Sequence, residues 1–153
     1  MNGVDRFRAA VAPLGLHPEI REFDESTHTA AEAAAAIGCP VAAIVKSLVF
    51  EAGGAPLLVL VSGPNRVDTA ALGARLGVDI GKADAALVKS ATGYSIGGVP
   101  PLGLSSPLRT VMDADLLELD VVWAAAGSAT SVFPIGPADL ARLTRAEVVP
   151  VDA

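Results

Sequence analysis

Ile44-Val45-Lys46-Ser47-Leu48-Val49-Phe50 and Leu57-Leu58-Val59-Leu60-Val61-Ser62 flank Glu51-Ala52-Gly53-Gly54-Ala55-Pro56. Two runs of branched apolar residues around a paired-glycine turn predict a β-hairpin. Within the first run, side chains alternate between the faces of the strand, so Ile44, Lys46 and Leu48 share one face. An ammonium in such surroundings either snorkels to water from an edge strand or meets an anion or carbonyl in a cleft. Both readings of Lys46 stay open at this point.

Outward from the hairpin, helices and strands mix without strict alternation. Val4, Phe7, Val11 and Leu14 recur at helical spacing and predict an opening helix. Ile20 to Phe23 reads as a short strand. Thr29 with Glu32 forms a capping-box pattern before an alanine-rich helix that Gly38 stops. Asp68 caps a helix over Thr69 to Leu76, with Val67 and Leu72 as a staple and Gly77 as its end. Ala83 to Ala91 has weak helical character. Residues 93–103, with four glycines and two adjacent prolines, form a loop. Strands follow at Thr110 to Met112, Val121 to Ala125 and Ser131 to Ile135. A helix starts at Pro137, which suits a first helical position. The expected fold is a single α+β domain over residues 1–153, with a mixed, strongly curled sheet of six or seven strands, barrel-like and flanked by helices.

Composition narrows the function. A hydrophobic fraction of 52% with 4% aromatic residues implies a core filled by small side chains. The mean hydropathy of +0.51 does not predict a membrane span, because every long uncharged stretch is broken by Gly, Pro, Ser or Thr. The N-terminal stretch lacks the pattern of a signal peptide, and the single cysteine, Cys39, cannot form an internal disulfide. A cytoplasmic location is expected. The net charge of −6 argues against indiscriminate nucleic-acid binding, DNA included. Any RNA contact must be local.

The usual catalytic signatures are absent: no Gly-x-Ser-x-Gly, no His-Glu-x-x-His and no phosphate-binding Gly-x-x-x-x-Gly-Lys. His17 and His28 have no ligand spacing, so no metal or other cofactor is expected. Cys39 reads as a small apolar residue. The loop Gly93-Tyr94-Ser95-Ile96-Gly97-Gly98-Val99-Pro100-Pro101-Leu102-Gly103 can bring main-chain N–H groups close to a ligand, or simply make a turn. Arg66, Lys82, Lys89 and Arg109 are candidate phosphate contacts.

Thr27-His28-Thr29 before an Ala-rich helix, Ile44-Val45-Lys46-Ser47-Leu48, Thr92-Gly93-Tyr94 with Gly97 to Gly103, and Gly127-Ser128 before Pro137-Ala138-Asp139-Leu140 occur in an ordered set. That set, running from about Ile20 to Val149, resembles the YbaK and prolyl-tRNA synthetase-associated editing domain family. The resemblance implies a trans-editing aminoacyl-tRNA deacylase that hydrolyses the ester of a small wrong amino acid, with tRNA-Pro one candidate carrier. A positioned water or ribose hydroxyl attacks, with no protein nucleophile. It places Lys46 and Gly97 in catalysis, and Gly98 adjoins them as a further catalytic candidate. The candidate substrate contacts are His28, Ser47, Tyr94, Pro100, Gly127 and Ser128, where His28 either lines the pocket or caps the following helix and Ser128 either meets the ligand or satisfies a strand end. Read as a residue, Tyr94 either stacks on the terminal adenine or, as a lone Tyr beside a loop more often does, packs against the core. The expected partners are the 3′ end of aminoacylated tRNA and an aminoacyl-tRNA synthetase. The cysteine-specific branch has Thr where Ser47 stands, and the alanine-specific branch has a late histidine that this chain lacks, so the amino acid stays open. The alternative is a non-catalytic module binding an aminoacyl-nucleotide or a related small ligand.

Overall fold

The computed structural model describes residues 2–24 and 29–152. Among them are five α-helices and eight strands. Helix α1 (Gly3–Val11) opens where the Asn2 side chain accepts from Asp5 N, 2.8 Å. The sequence extended its apolar face to Leu14. Instead the helix ends at Val11 and a 3-10 turn containing Pro13 rotates Leu14 outward, leaving it 48% exposed. Strand β1 is Arg21–Glu22. Helix α2 (Ala30–Ile37) starts on the Thr29 hydroxyl, which accepts from Glu32 N at 3.1 Å, and stops at Gly38.

Strands β2 (Val45–Ala52) and β3 (Ala55–Ser62) form the expected hairpin, with positive φ at both Gly53 and Gly54 as a tight turn between twisted strands requires. Asp68 caps α3 (Thr69–Leu76), and Asp84 caps α4 (Ala85–Thr92). Between them lies β4 (Ile80–Lys82). Then come β5 (Arg109–Asp113), β6 (Val122–Ala125), β7 (Ser131–Ile135), α5 (Pro137–Thr144) and β8 (Glu147–Val149). The two three-residue strands were not read from the sequence.

The strands build two sheets, β1-β7-β6 and β4-β2-β3-β5-β8. This corrects the expectation of one strongly curled, barrel-like sheet. Closure requires the two outer strands of a sheet to pair, but β4 and β8 lie at opposite edges of the larger sheet, as β1 and β6 do of the smaller. Among the described residues a single parallel bridge, Ile44 to Trp123, links the two sheets.

Strand β3 is buried on both faces. Leu58 and Leu60 join Phe7, Tyr94, Val99, Met112 and Phe133 in the main core, whereas Leu57, Val59 and Val61 pack with Leu72 and Val111 under α3. Phe7 and Phe133 are fully buried with ring centroids 4.8 Å apart. Burying each ring contributes about 1.5–3 kcal/mol. No helix among the described residues is long and apolar enough to cross a membrane.

Candidate functional site

Strand β2 pairs with β3 along its whole length, but on its other side it meets β4 only from Phe50 to Ala52. Among the described residues no strand pairs with that side from Val45 to Val49, and at Ile44 the bridge to Trp123 begins the second sheet. An unpaired edge leaves main-chain donors and acceptors available. A cavity of about 490 Å³ lies along this gap, lined by every residue from Ile44 to Phe50, by Trp123 at one end and Lys82 at the other. Its size falls within the roughly 300–1,000 Å³ of small-ligand sites.

Because the cavity follows a strand edge, it receives residues from both faces of β2. Val45, Ser47 and Val49 belong to the face of the main core, while Lys46 alternates to the other face with Phe50. Lys46 lines the cavity, and its ammonium donates to the main-chain oxygen of Asn65 at 2.5 Å. Burial pulls its pKa below the ordinary value, the charge of Arg66 pulls in the same direction, and Asp113 opposes them. The Ser47 hydroxyl is buried and has no hydrogen-bond partner among the described residues. A buried donor left unpaired is uncommon enough to call for an explanation.

Opposite β2, two turns pack back to back. Gly97, at φ +91°, lines the cavity beside Ile96 and Ala129. Gly98 does not line it. Its N–H donates to Ser95 O at 3.0 Å, and a Cβ there would stand 2.9 Å from Ser128 Cα. The main-chain donor expected of Gly98 is therefore already engaged. Ser128 lines the cavity, and its hydroxyl is 2.7 Å from Ser131 Oγ and 3.3 Å from Thr130 Oγ1.

Three other expected contacts lie elsewhere. Tyr94 is 3% exposed, donates from its hydroxyl to Gly103 O at 3.1 Å and has the Arg6 guanidinium over its ring, so it offers no face to a base. Pro100 is buried outside the cavity lining. At Gly127, φ +101°, a Cβ would overlap the main chain of Gly3, so this glycine lets α1 approach. His28 lies outside the described residues. Of the candidate phosphate contacts, Lys82 lines the cavity and Arg66 acts electrostatically on Lys46. Arg109 is paired with Glu147 at 2.8 Å, and Lys89 reaches Gly93 O at 3.4 Å.

The sequence reading missed Trp123, whose ring lies under the Arg21 guanidinium, 4.7 Å from it. It also missed Asn65 and Asp113. Among the described residues no group of three or more His, Cys, Asp or Glu is placed to hold a metal ion.

The aminoacyl-tRNA editing domain matches residues 24–143 of this chain. The chain is 34% identical over 117 residues to a proline–tRNA ligase of Nitratidesulfovibrio vulgaris, a match covering 76% of this chain and 20% of that enzyme. It is 29% identical to the uncharacterized protein YwhH of Bacillus subtilis, covering 85% of this chain and 83% of that protein. A crystal structure described as that of a candidate trans-editing enzyme for prolyl tRNA synthetase superposes with TM-score 0.94 at 39% identity, over 100% of this chain and 98% of the other.

Proposed function

The chain belongs to the aminoacyl-tRNA editing domain family, and from that premise we propose that it is a trans-editing deacylase, hydrolysing the ester between a small wrong amino acid and the 3′ ribose of a tRNA. The observation that carries the reading is the gap in strand pairing beside β2, where Lys46, Ser47, Gly97 and Ser128 line one cavity. The likeness to a candidate trans-editing enzyme for prolyl tRNA synthetase supports tRNA-Pro as the carrier and a synthetase as partner.

An aminoacyl ester is already activated, so positioning and charge stabilisation supply useful acceleration without a protein nucleophile. A water held by the neighbouring ribose hydroxyl adds to the ester carbonyl and gives up a proton as negative charge grows on the carbonyl oxygen. The bond from carbonyl carbon to ribose oxygen then breaks, and the ribose oxygen takes up a proton. Lys46 supplies positive charge at the mouth, keeping one N–H on Asn65 O and turning another toward the substrate. The Gly97 N–H and the open main-chain edge of β2 are the candidate donors to the growing oxyanion. Gly98 keeps the loop seated on Ser128. The apolar wall of Ala33, Val45, Val88, Val99 and Ala124 takes the amino-acid side chain, and small side chains fit by exclusion of larger ones. Ser47 offers its unpaired hydroxyl to a polar group of the substrate.

The test is a panel of mischarged tRNAs incubated with the protein and with Lys46→Ala. Deacylation of at least one member, lost in the variant, is expected; no deacylation of any member counts against the proposal. Trp123, the single tryptophan, lines the cavity, so its emission reports binding of a non-hydrolysable aminoacyl-adenosine analogue. A change in emission together with no turnover favours a binding module instead.

A further inference from the structure

Asp113 ends β5 as a buried carboxylate, 1% exposed, and three N–H groups converge on it. Ser62 N donates to its Oδ2 at 3.0 Å, Asn65 Nδ2 to the same oxygen at 2.9 Å, and Asp115 N to Oδ1 at 3.0 Å. Asn65 Nδ2 also reaches Asp115 Oδ2 at 2.7 Å. Ser62 and Asn65 are the two ends of one turn, closed by Asn65 N donating to Ser62 O at 2.9 Å. A single carboxylate thus pins both ends of the turn that leaves β3, with charge-assisted bonds stronger than neutral ones. Gly63 inside the turn has no room for a side chain, since a Cβ there would overlap Val41 O.

The same turn presents the Asn65 main-chain oxygen to the Lys46 ammonium. Lys46 and Asp113 lie on the same face of the sheet, that of Phe50 and Val111. The chain of bonds therefore runs from β5, through a turn at the end of β3, to a side chain on β2. Lysine has four rotatable bonds and a point charge, and its ammonium takes a defined position only where a fixed acceptor holds it.

We propose that Asp113, acting through Asn65, is the positioning residue that holds the Lys46 ammonium at the cavity. This rests on the reading that Lys46 meets the substrate. Asp113 touches neither substrate nor reacting atoms; it fixes where the ammonium waits. Asn65→Ala removes the side-chain link to Asp113 while keeping the main-chain oxygen that Lys46 uses, and Asp113→Asn turns one acceptor into a donor facing other donors.

The experiment combines steady-state deacylation with side-chain 15N spectra of the lysines, which are Lys46, Lys82 and Lys89. The Lys46 signal is the one lost in Lys46→Ala. In Asn65→Ala and Asp113→Asn, kcat is expected to fall about ten- to a hundredfold, as misplacement by an ångström does, with KM nearly unchanged. The Lys46 signal is expected to move toward those of Lys82 and Lys89. Should Asp113→Asn fail to fold, Asn65→Ala, in a surface turn, decides alone. An unmoved Lys46 signal, or parental kcat in Asn65→Ala when Lys46→Ala is inactive, overturns the positioning role by itself. Full activity in Lys46→Ala instead removes the reading of Lys46 on which the role rests.

Discussion

Gly98 lies so close to Ser128 that a Cβ on it would stand 2.9 Å from Ser128 Cα and 3.0 Å from its carbonyl carbon. Both atoms are main chain, so they cannot rotate aside. Gly98→Ala is expected to destabilise the fold by about 1–3 kcal/mol, the usual cost of overpacking, and to carry the adjoining Gly97 out of place. The neighbouring Gly97 has room, with Ala129 Cβ at 3.8 Å, but φ is +91°. Gly97→Ala is thus destabilising through backbone strain instead of collision. Urea unfolding measures both; a Gly98→Ala midpoint equal to that of the parent rejects the packing account.

Tyr94 provides the opposite case. Its hydroxyl bond to Gly103 O ties the two ends of the loop, and its ring is in the core. Tyr94→Phe is expected to lose about 0.5–1.5 kcal/mol, one hydrogen bond's net worth, and to deacylate at the parental rate. A fall in kcat/KM with no loss of stability would restore Tyr94 to the substrate.

The difference between these residues was not legible in the sequence, where Tyr94, Gly97 and Gly98 are simply close neighbours in one loop. Which glycine packs and which opens onto a cavity depends on φ and on a turn some thirty residues later. Local signals fared better. The Gly53-Gly54 turn, the Thr29 and Asp68 caps and the Gly38 and Gly77 stops are set within a few residues, and helix and strand bounds follow them. Strand pairing is long-range, so neither the two sheets nor the short strands β4 and β8 could be counted from the pattern. Lys46 was conspicuous as a charge inside an apolar run. Asp113, ending Thr110-Val111-Met112, carried the same signal and was passed over.

Lys46 also sets a pH dependence. Burial first, then Arg66, lowers its pKa from 10.5, against the smaller pull of Asp113. The folded value is below the unfolded one, so the unfolded chain binds more protons between the folded pKa and 10.5. Across that window this group's contribution to stability rises with pH, and below the folded pKa its full penalty is present. Lys46→Met removes the penalty. The stability difference between Lys46→Met and the parent is therefore expected to shift in the parent's favour as pH rises from 7 toward 10.5. Urea unfolding over that range checks it, and a difference that stays constant refutes it.

Binding to tRNA by a chain of net charge −6 must depend on local positive charge, and Lys46 and Lys82 are the basic residues among those lining the cavity. Each lysine that neutralises a phosphate of a single strand contributes about −0.7 to the slope of log affinity against log salt. Two give a slope of about −1.4, far shallower than that of a protein gripping a duplex along its backbone. Lys82→Ala is expected to halve the slope and weaken every tRNA alike, because a phosphate contact carries no information about the amino acid. Its kcat on a saturating substrate is expected to stay parental, since Lys82 sits at the end of the cavity where β4 pairs with Phe50. Trp123 emission titrations at several salt concentrations give the slope directly. A steep slope that Lys82→Ala leaves unaltered would place the tRNA on another surface of the molecule.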